Sequence, residues 1–187
     1  MSLQQQIETL ENEIREKKET LAKLRDQLEP VEIKDYALLG QGNKEVKLSE
    51  LFGDKSELIL VWNMGKSCPY CTLWADGYNG LNAHLNDRAA FVVVSPDAPE
   101  VQAEFAKSRG WKFRMLSHKG SSFARDFDLQ DDKYVTPGVS VFLKKDGELF
   151  HHTKSIFDPG DNFCSLWDFI DLLPSEVRSV PKYSYNP

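Results

Sequence analysis

Two cysteines three positions apart, in Cys68-Pro69-Tyr70-Cys71, are the residues of this 187-residue chain best suited to chemistry. On a helix such a pair shares one side. Its thiols can close a small-ring disulfide and pass two electrons to or from another disulfide. Upstream, Glu57 to Trp62 (E-L-I-L-V-W) is a near-continuous apolar run, the mark of a strand covered on both faces. A short loop, Asn63 to Ser67, then puts Cys68 at a helix N-cap and Pro69 at the first helical position, where its missing N–H costs nothing. Free amides and the positive end of the helix dipole would favour the Cys68 thiolate, and Lys66 offers a nearby cation. Cys68 is therefore expected to attack and Cys71, one turn inside, to resolve. A dithiol carries its own electrons, so this reading needs no cofactor.

Two other readings of the pair stay open: reduced structural cysteines, or half of a zinc site. Zinc would need two more ligands. The candidates Cys164, His84, His118, His151 and His152 do not repeat the C-x-x-C spacing, so no metal is expected.

The elements that must position the pair follow from patterning. Hydrophobic residues at 41% and aromatics at 11% belong to a globular chain, and the net charge of −6 argues against nucleic acid as a partner. No run approaches the roughly 18 apolar residues of a membrane span. The polar first thirty residues hold no signal-peptide core, and three cysteines make no secreted disulfide framework, so a cytoplasmic location is expected. Leu3, Ile7, Leu10, Ile14, Leu21, Leu24 and Leu28 form a heptad stripe over residues 1–28, interrupted by Lys17 and closed by Pro30. Glu11–Arg15, Glu13–Lys17 and Glu19–Lys23 support its solvated face. The stripe is expected to pack on its own domain or to pair with a second copy as a homodimer.

Three segments result: a helix over 1–30, a domain over 31–174 and an extended tail over 175–187. Within the domain the pattern predicts a hairpin around Gly40 to Asn43, a helical turn at Ser49 to Phe52 and the strand at Glu57. A helix follows from Pro69 to Asn86 with Leu73, Trp74, Leu81 and Leu85 inward. Then come a strand at Phe91 to Val94, a helix at Ala98 to Ser108, a strand at Trp111 to Leu116 and a short helix at Ser122 to Phe127. A strand pair turns at Asp146-Gly147, after Lys144-Lys145, and a last helix spans Asn162 to Leu173. The order is α/β around one sheet.

With these residues in view, the chain resembles the peroxiredoxin and thiol-specific-antioxidant branch of thioredoxin-like proteins from Ile33 to about Leu149. The markers are the opening hairpin, L-S-E-L-F-G, V-V-V-S-P-D-A-P and V-S-V-F-L-K-K-D-G-E-L. More closely, W-N-M-G-K-S-C-P-Y-C-T-L-W-A-D-G, H-L-N-D-R, R-G-W-K-F and P-G-V-S-V-F resemble a bacterial thioredoxin-like family without an assigned function, whose members begin with a charged helix. The resemblance implies a thioredoxin-like (peroxiredoxin-like) central sheet flanked by helices and preceded by a long N-terminal helix. It implies a cis-proline facing the cysteines, for which Thr136-Pro137 is the candidate against a trans turn proline. The chain departs from peroxiredoxins in holding Met64 and Gly65-Lys66-Ser67 where those place a Pro and a Thr, and from thioredoxins in having Ser67 before the first cysteine.

Other residues carry a sharp and a bland reading. Asp76 is either a proton acceptor for Cys71 or a bonded surface carboxylate. Cys164 is a third redox thiol or space-filler, and Gly77 hints at a kink or close packing. His151-His152 reads as strand filler, and Trp111 and Phe113 as core or groove wall. Three functions follow: an oxidoreductase acting on a disulfide-containing protein or small thiol, a thiol peroxidase, or a redox-inactive scaffold that works through its N-terminal helix.

Overall fold

A computed structural model describes residues 1–174; the expected extended tail over 175–187 lies outside the described residues. Helix α1 (Leu3–Asp26) starts in a capping box, in which Ser2 and Gln5 satisfy each other's exposed amides. It ends before Pro30, with Lys23 and Arg25 in its last turn. None of its residues is buried. The stripe therefore does not pack on its own domain; at the end of the helix Arg25 donates to Ser155 Oγ at 3.4 Å.

Short strand β1 (Val31–Ile33) was not expected from the sequence. Strands β2 (Ala37–Leu39) and β3 (Glu45–Lys47) form the expected hairpin, with Gly42 in the left-handed region at its turn, and a 3-10 turn at Leu48–Phe52 follows. Strand β4 (Glu57–Trp62) leads to α2 (Pro69–Arg88), β5 (Ala90–Ser95), α3 (Pro99–Arg109) and β6 (Arg114–Ser117). The short α4 (Phe123–Asp126), the antiparallel pair β7 (Gly138–Lys145) and β8 (Glu148–Ile156), and α5 (Leu166–Asp171) complete the chain.

One eight-stranded sheet runs in the order β1-β8-β7-β4-β5-β6-β2-β3. Strands β4, β5 and β6 are parallel at its centre, and β7 lies antiparallel to β4. Both faces are covered. On one, Leu58, Leu60 and Trp62 of β4 meet Val92, Val94, Phe123 and Phe142; on the other, Val61, Phe91 and Val93 meet α2. That two-sided burial explains the unbroken apolar runs of β4 and β5. The fold is thioredoxin-like, of the peroxiredoxin-like kind, preceded by a long N-terminal helix. No helix among the described residues is long and apolar enough to cross a membrane.

Three expectations need correction. Leu73 and Trp74 of α2 are buried as expected and Leu85 is half-buried against the core, but Leu81 is 54% exposed, and Cys71, Thr72, Ala75 and Tyr78 complete the buried face. Strand β6 begins at Arg114 rather than Trp111, because Gly110 caps α3 in the left-handed region and the Lys112 amide donates to Asn79. Helix α5 is six residues, because Asp161 turns the preceding segment by accepting the Phe163 amide, and Phe163 packs on Phe157 instead.

Candidate active site

The chain leaves β4 through an Asx turn. Asn63 Oδ1 accepts the Gly65 amide at 2.7 Å, and its Nδ2 donates to the Cys71 carbonyl at 3.4 Å. Gly65 sits at φ +99°, a conformation that strains any L side chain, and a Cβ there would press on the Asp97 carboxylate at 2.8 Å. Asp97, just past β5, accepts the Lys66 amide at 2.7 Å. The parallel neighbour thus holds the loop that carries the first cysteine.

Cys68 caps α2 with its sulfur, accepting the Cys71 amide at 3.2 Å, and Pro69 opens the helix. It is half-buried; Cys71 is buried, and its own sulfur accepts the Met64 amide at 3.4 Å. The Cys68 thiol is lowered to about 6. The Cys71 thiol donating to it is the largest cause, and the Cys71 and Tyr70 amides add to it against the opposing effect of burial. Cys71 moves the other way, held up by that same shared hydrogen bond and then by burial. At neutral pH one sulfur is an accessible thiolate and the other an enclosed thiol. All three cysteines are free.

Aromatic rings wall the pair. Tyr70 lies 6.3 Å from Trp74 and 6.1 Å from Trp167 between ring centres, and the Trp74 indole N–H donates to Asp161. Behind them Cys71, Asn63, Trp74, Tyr78, Phe157 and Pro137 surround a gap too small for a water molecule. The Tyr78 hydroxyl is buried there without a hydrogen-bond partner, and its ionisation is pushed up by burial, then by Asp161, Cys71 and Cys164. Cys164 shares this cluster, and burial raises its thiol as well.

Of the residues expected at the site, Cys68, Pro69, Tyr70 and Cys71 come together on the first turn of α2. Lys66 joins by a different atom from the one expected: its main-chain N–H binds Asp97, and the groups that lower Cys68 are hydrogen-bond donors. Pro137 reaches the gap beside Cys71, but no peptide bond among the described residues is cis. The Pro137 carbonyl accepts the Phe157 amide, and Thr136 is tied outward to the Leu129 carbonyl at 2.7 Å. The trans bond feeds directly into Gly138, where a Cβ would lie 2.5 Å from the Ser155 carbonyl oxygen. Asp76 is no proton acceptor for Cys71, for it is spoken for by the Arg109 guanidinium and by the Trp111 indole N–H at 2.8 Å. Gly77 faces open space, so of the kink or close packing it suggested, the close packing is absent. His151 packs its ring on Phe127 and Phe142 in the sheet.

Asn63 and Asp97 escaped the sequence reading. The available signal was that both lie within two residues of the ends of parallel strands, whose C-terminal ends share one edge of the sheet.

A thioredoxin-like sheet with a helix-capping cysteine and a buried second cysteine defines the class: a relative of the peroxiredoxin branch. The chain belongs to the family described as "Bacterial protein of unknown function (DUF899)", whose model matches residues 3–185. It is 26% identical over 147 residues to "Putative peroxiredoxin bcp" of Haemophilus influenzae, covering 78% of this chain and 92% of that one. Among solved structures it is similar to peroxidoxin BcpB of Mycobacterium tuberculosis, with a TM-score of 0.58 and 21% identity over 76% of this chain and 92% of that one. It is likewise similar to a cysteine-to-serine variant of Xylella fastidiosa PrxQ, with a TM-score of 0.60 and 13% identity over 75% and 91%.

Proposed function

We propose that this protein is a thiol–disulfide oxidoreductase in which Cys68 is the nucleophile and Cys71 the resolving thiol. One observation carries the reading: Cys68 Sγ caps α2 as a half-buried thiolate while the Cys71 thiol waits one turn deeper. In the reducing direction the Cys68 thiolate attacks one sulfur of a substrate disulfide; the other sulfur leaves as a thiolate and takes a proton from water. Cys71 then gives up its proton and attacks Cys68 Sγ. The Cys68–Cys71 disulfide forms, and the remaining substrate sulfur departs with a proton. Two electrons have moved from the dithiol to the substrate, and an external thiol restores the pair. The substrate is a disulfide-containing protein or a small disulfide.

A second reading, thiol peroxidase, draws on the relative named as a peroxiredoxin and on a Xanthomonas campestris bacterioferritin comigratory protein of similar fold (TM-score 0.55, 16% identity) with alkyl peroxide reduction activity. There Cys68 would attack the peroxide, forming a sulfenic acid and releasing water or alcohol, and Cys71 would condense with it. Met64 and Gly65-Lys66-Ser67 favour the first reading, since they lack the Pro and Thr of peroxiredoxin sites.

A glutathione redox titration, read by the mass shift of alkylated thiols, tests the couple. The expected result is a reversible two-electron transition that the Cys68→Ser and Cys71→Ser variants lose. Insulin reduction without peroxide consumption supports the first reading, peroxide consumption without insulin reduction the second. Inertness in all three assays leaves the scaffold.

A further inference from the structure

Helix α1 puts Ile7, Leu10, Ile14, Leu21 and Leu24 on one stripe, each between 42% and 56% exposed, with nothing of its own domain against them. Contiguous apolar surface of that kind marks an interface. The spacing says what covers it: steps of four and three are the seam of a helix packed against another helix, with Ile7, Ile14 and Leu21 at a positions and Leu10, Lys17 and Leu24 at d.

We infer that α1 pairs with α1 of a second copy of this chain in an antiparallel coiled coil. In antiparallel coils a positions meet d positions. Laid so, Ile7 meets the second copy's Leu24, Leu21 meets its Leu10, and Ile14 meets its Lys17, each contact occurring twice about a two-fold axis. The stripe closes on itself with two central layers, each holding one lysine.

Charge selects the orientation. In a parallel coil the two Lys17 side chains would face each other in one core layer, a repulsion that the flanking Lys18–Glu13 pairs of that arrangement do not remove. Turning one helix over separates the two Lys17 residues. Each stem then lies on Ile14 of the other chain, while its ammonium reaches Glu13 four residues back on its own helix. The flanking e positions bring Lys18 opposite Glu11 of the second copy, again twice. The helix is 24 residues, about 36 Å long, so the two redox domains sit at opposite ends of a rod, with both Cys68 sites outside the seam. This inference is independent of the thiol chemistry.

Sedimentation equilibrium on the full chain tests it. Wild type is expected to be a dimer that dissociates in the micromolar range, and Ile14→Asp a monomer with an unchanged near-UV spectrum. Glu11→Lys sets like charges against Lys18 and should weaken the dimer about tenfold, and Lys18→Glu should do the same against Glu11. The double variant Glu11→Lys/Lys18→Glu should recover wild-type affinity. In a parallel coil Lys18 would face Glu13, so the double variant would stay as weak as Lys18→Glu. That result overturns the antiparallel pairing. A wild-type monomer at about 100 µM, or a dimer indifferent to Ile14→Asp, overturns the inference altogether.

Discussion

The amide of Cys71 points at Cys68 Sγ across 3.2 Å, and the Cys71 thiol donates to the same sulfur. In the proposed reaction, Cys71 thus stabilises the Cys68 thiolate before attacking it. When the disulfide forms, that stabilisation is exchanged for a covalent bond, so the two sulfurs act as one unit.

The pH dependence of alkylation tests this dependence directly. Wild-type Cys68 should react with iodoacetamide with a midpoint at about 6. Cys71→Ala removes the largest lowering cause and should move the midpoint upward, toward the free value of about 8.5. Cys71→Ser, which keeps a donor, should move it less. An unchanged midpoint in Cys71→Ala would show that the helix amides suffice.

Mild oxidation should join Cys68 to Cys71 and leave Cys164 reduced. Cys164 lies in the same buried cluster as Cys71, but burial raises its thiol and leaves it little thiolate for exchange. Peptide mapping that found Cys164 in the dominant disulfide would falsify this.

Asp76→Ala should cost about 3 kcal/mol of stability, because it removes the carboxylate facing the buried Arg109. The reduction potential should stay at the wild-type value, since Asp76 binds Arg109 and Trp111 rather than a cysteine. Denaturant unfolding and the glutathione titration check the two halves separately. A shifted potential would return Asp76 to the thiol site.

His118 is 1% exposed and its Nε2 has no partner, and burial lowers its pKa to about 4 from 6.5. A histidine lowered in the folded state binds its proton more readily when unfolded. Its contribution is therefore whole above pH 6.5 and shrinks as pH falls toward 4, a change of roughly 3 kcal/mol. Melting curves from pH 7 to 4.5 should show this loss, and His118→Leu should flatten it. Parallel profiles for the two proteins would place the acid sensitivity elsewhere.

The sequence by itself determined whatever local spacing controls. The C-x-x-C at a strand-to-helix junction, Pro69 at the first helical position, the unbroken apolar runs of β4 and β5 and the heptad stripe of α1 are each readable over a few residues. Capping, helical period and two-sided burial are local constraints on residue type. Tertiary structure decided the rest. Asp76 met Arg109 and Trp111 because α3 ends beside α2, with its Gly110 carbonyl bonded to Asn79. Asp97 secured the Cys68 loop because β5 lies parallel to β4 and both end at one edge. Pro137 came to lie beside Cys71 because β7 pairs across β4 with Gly138 opposite Trp62. A residue's type states what bonds it can make, but strand order and helix placement, set by how the whole core packs, choose which partner is near enough to make them.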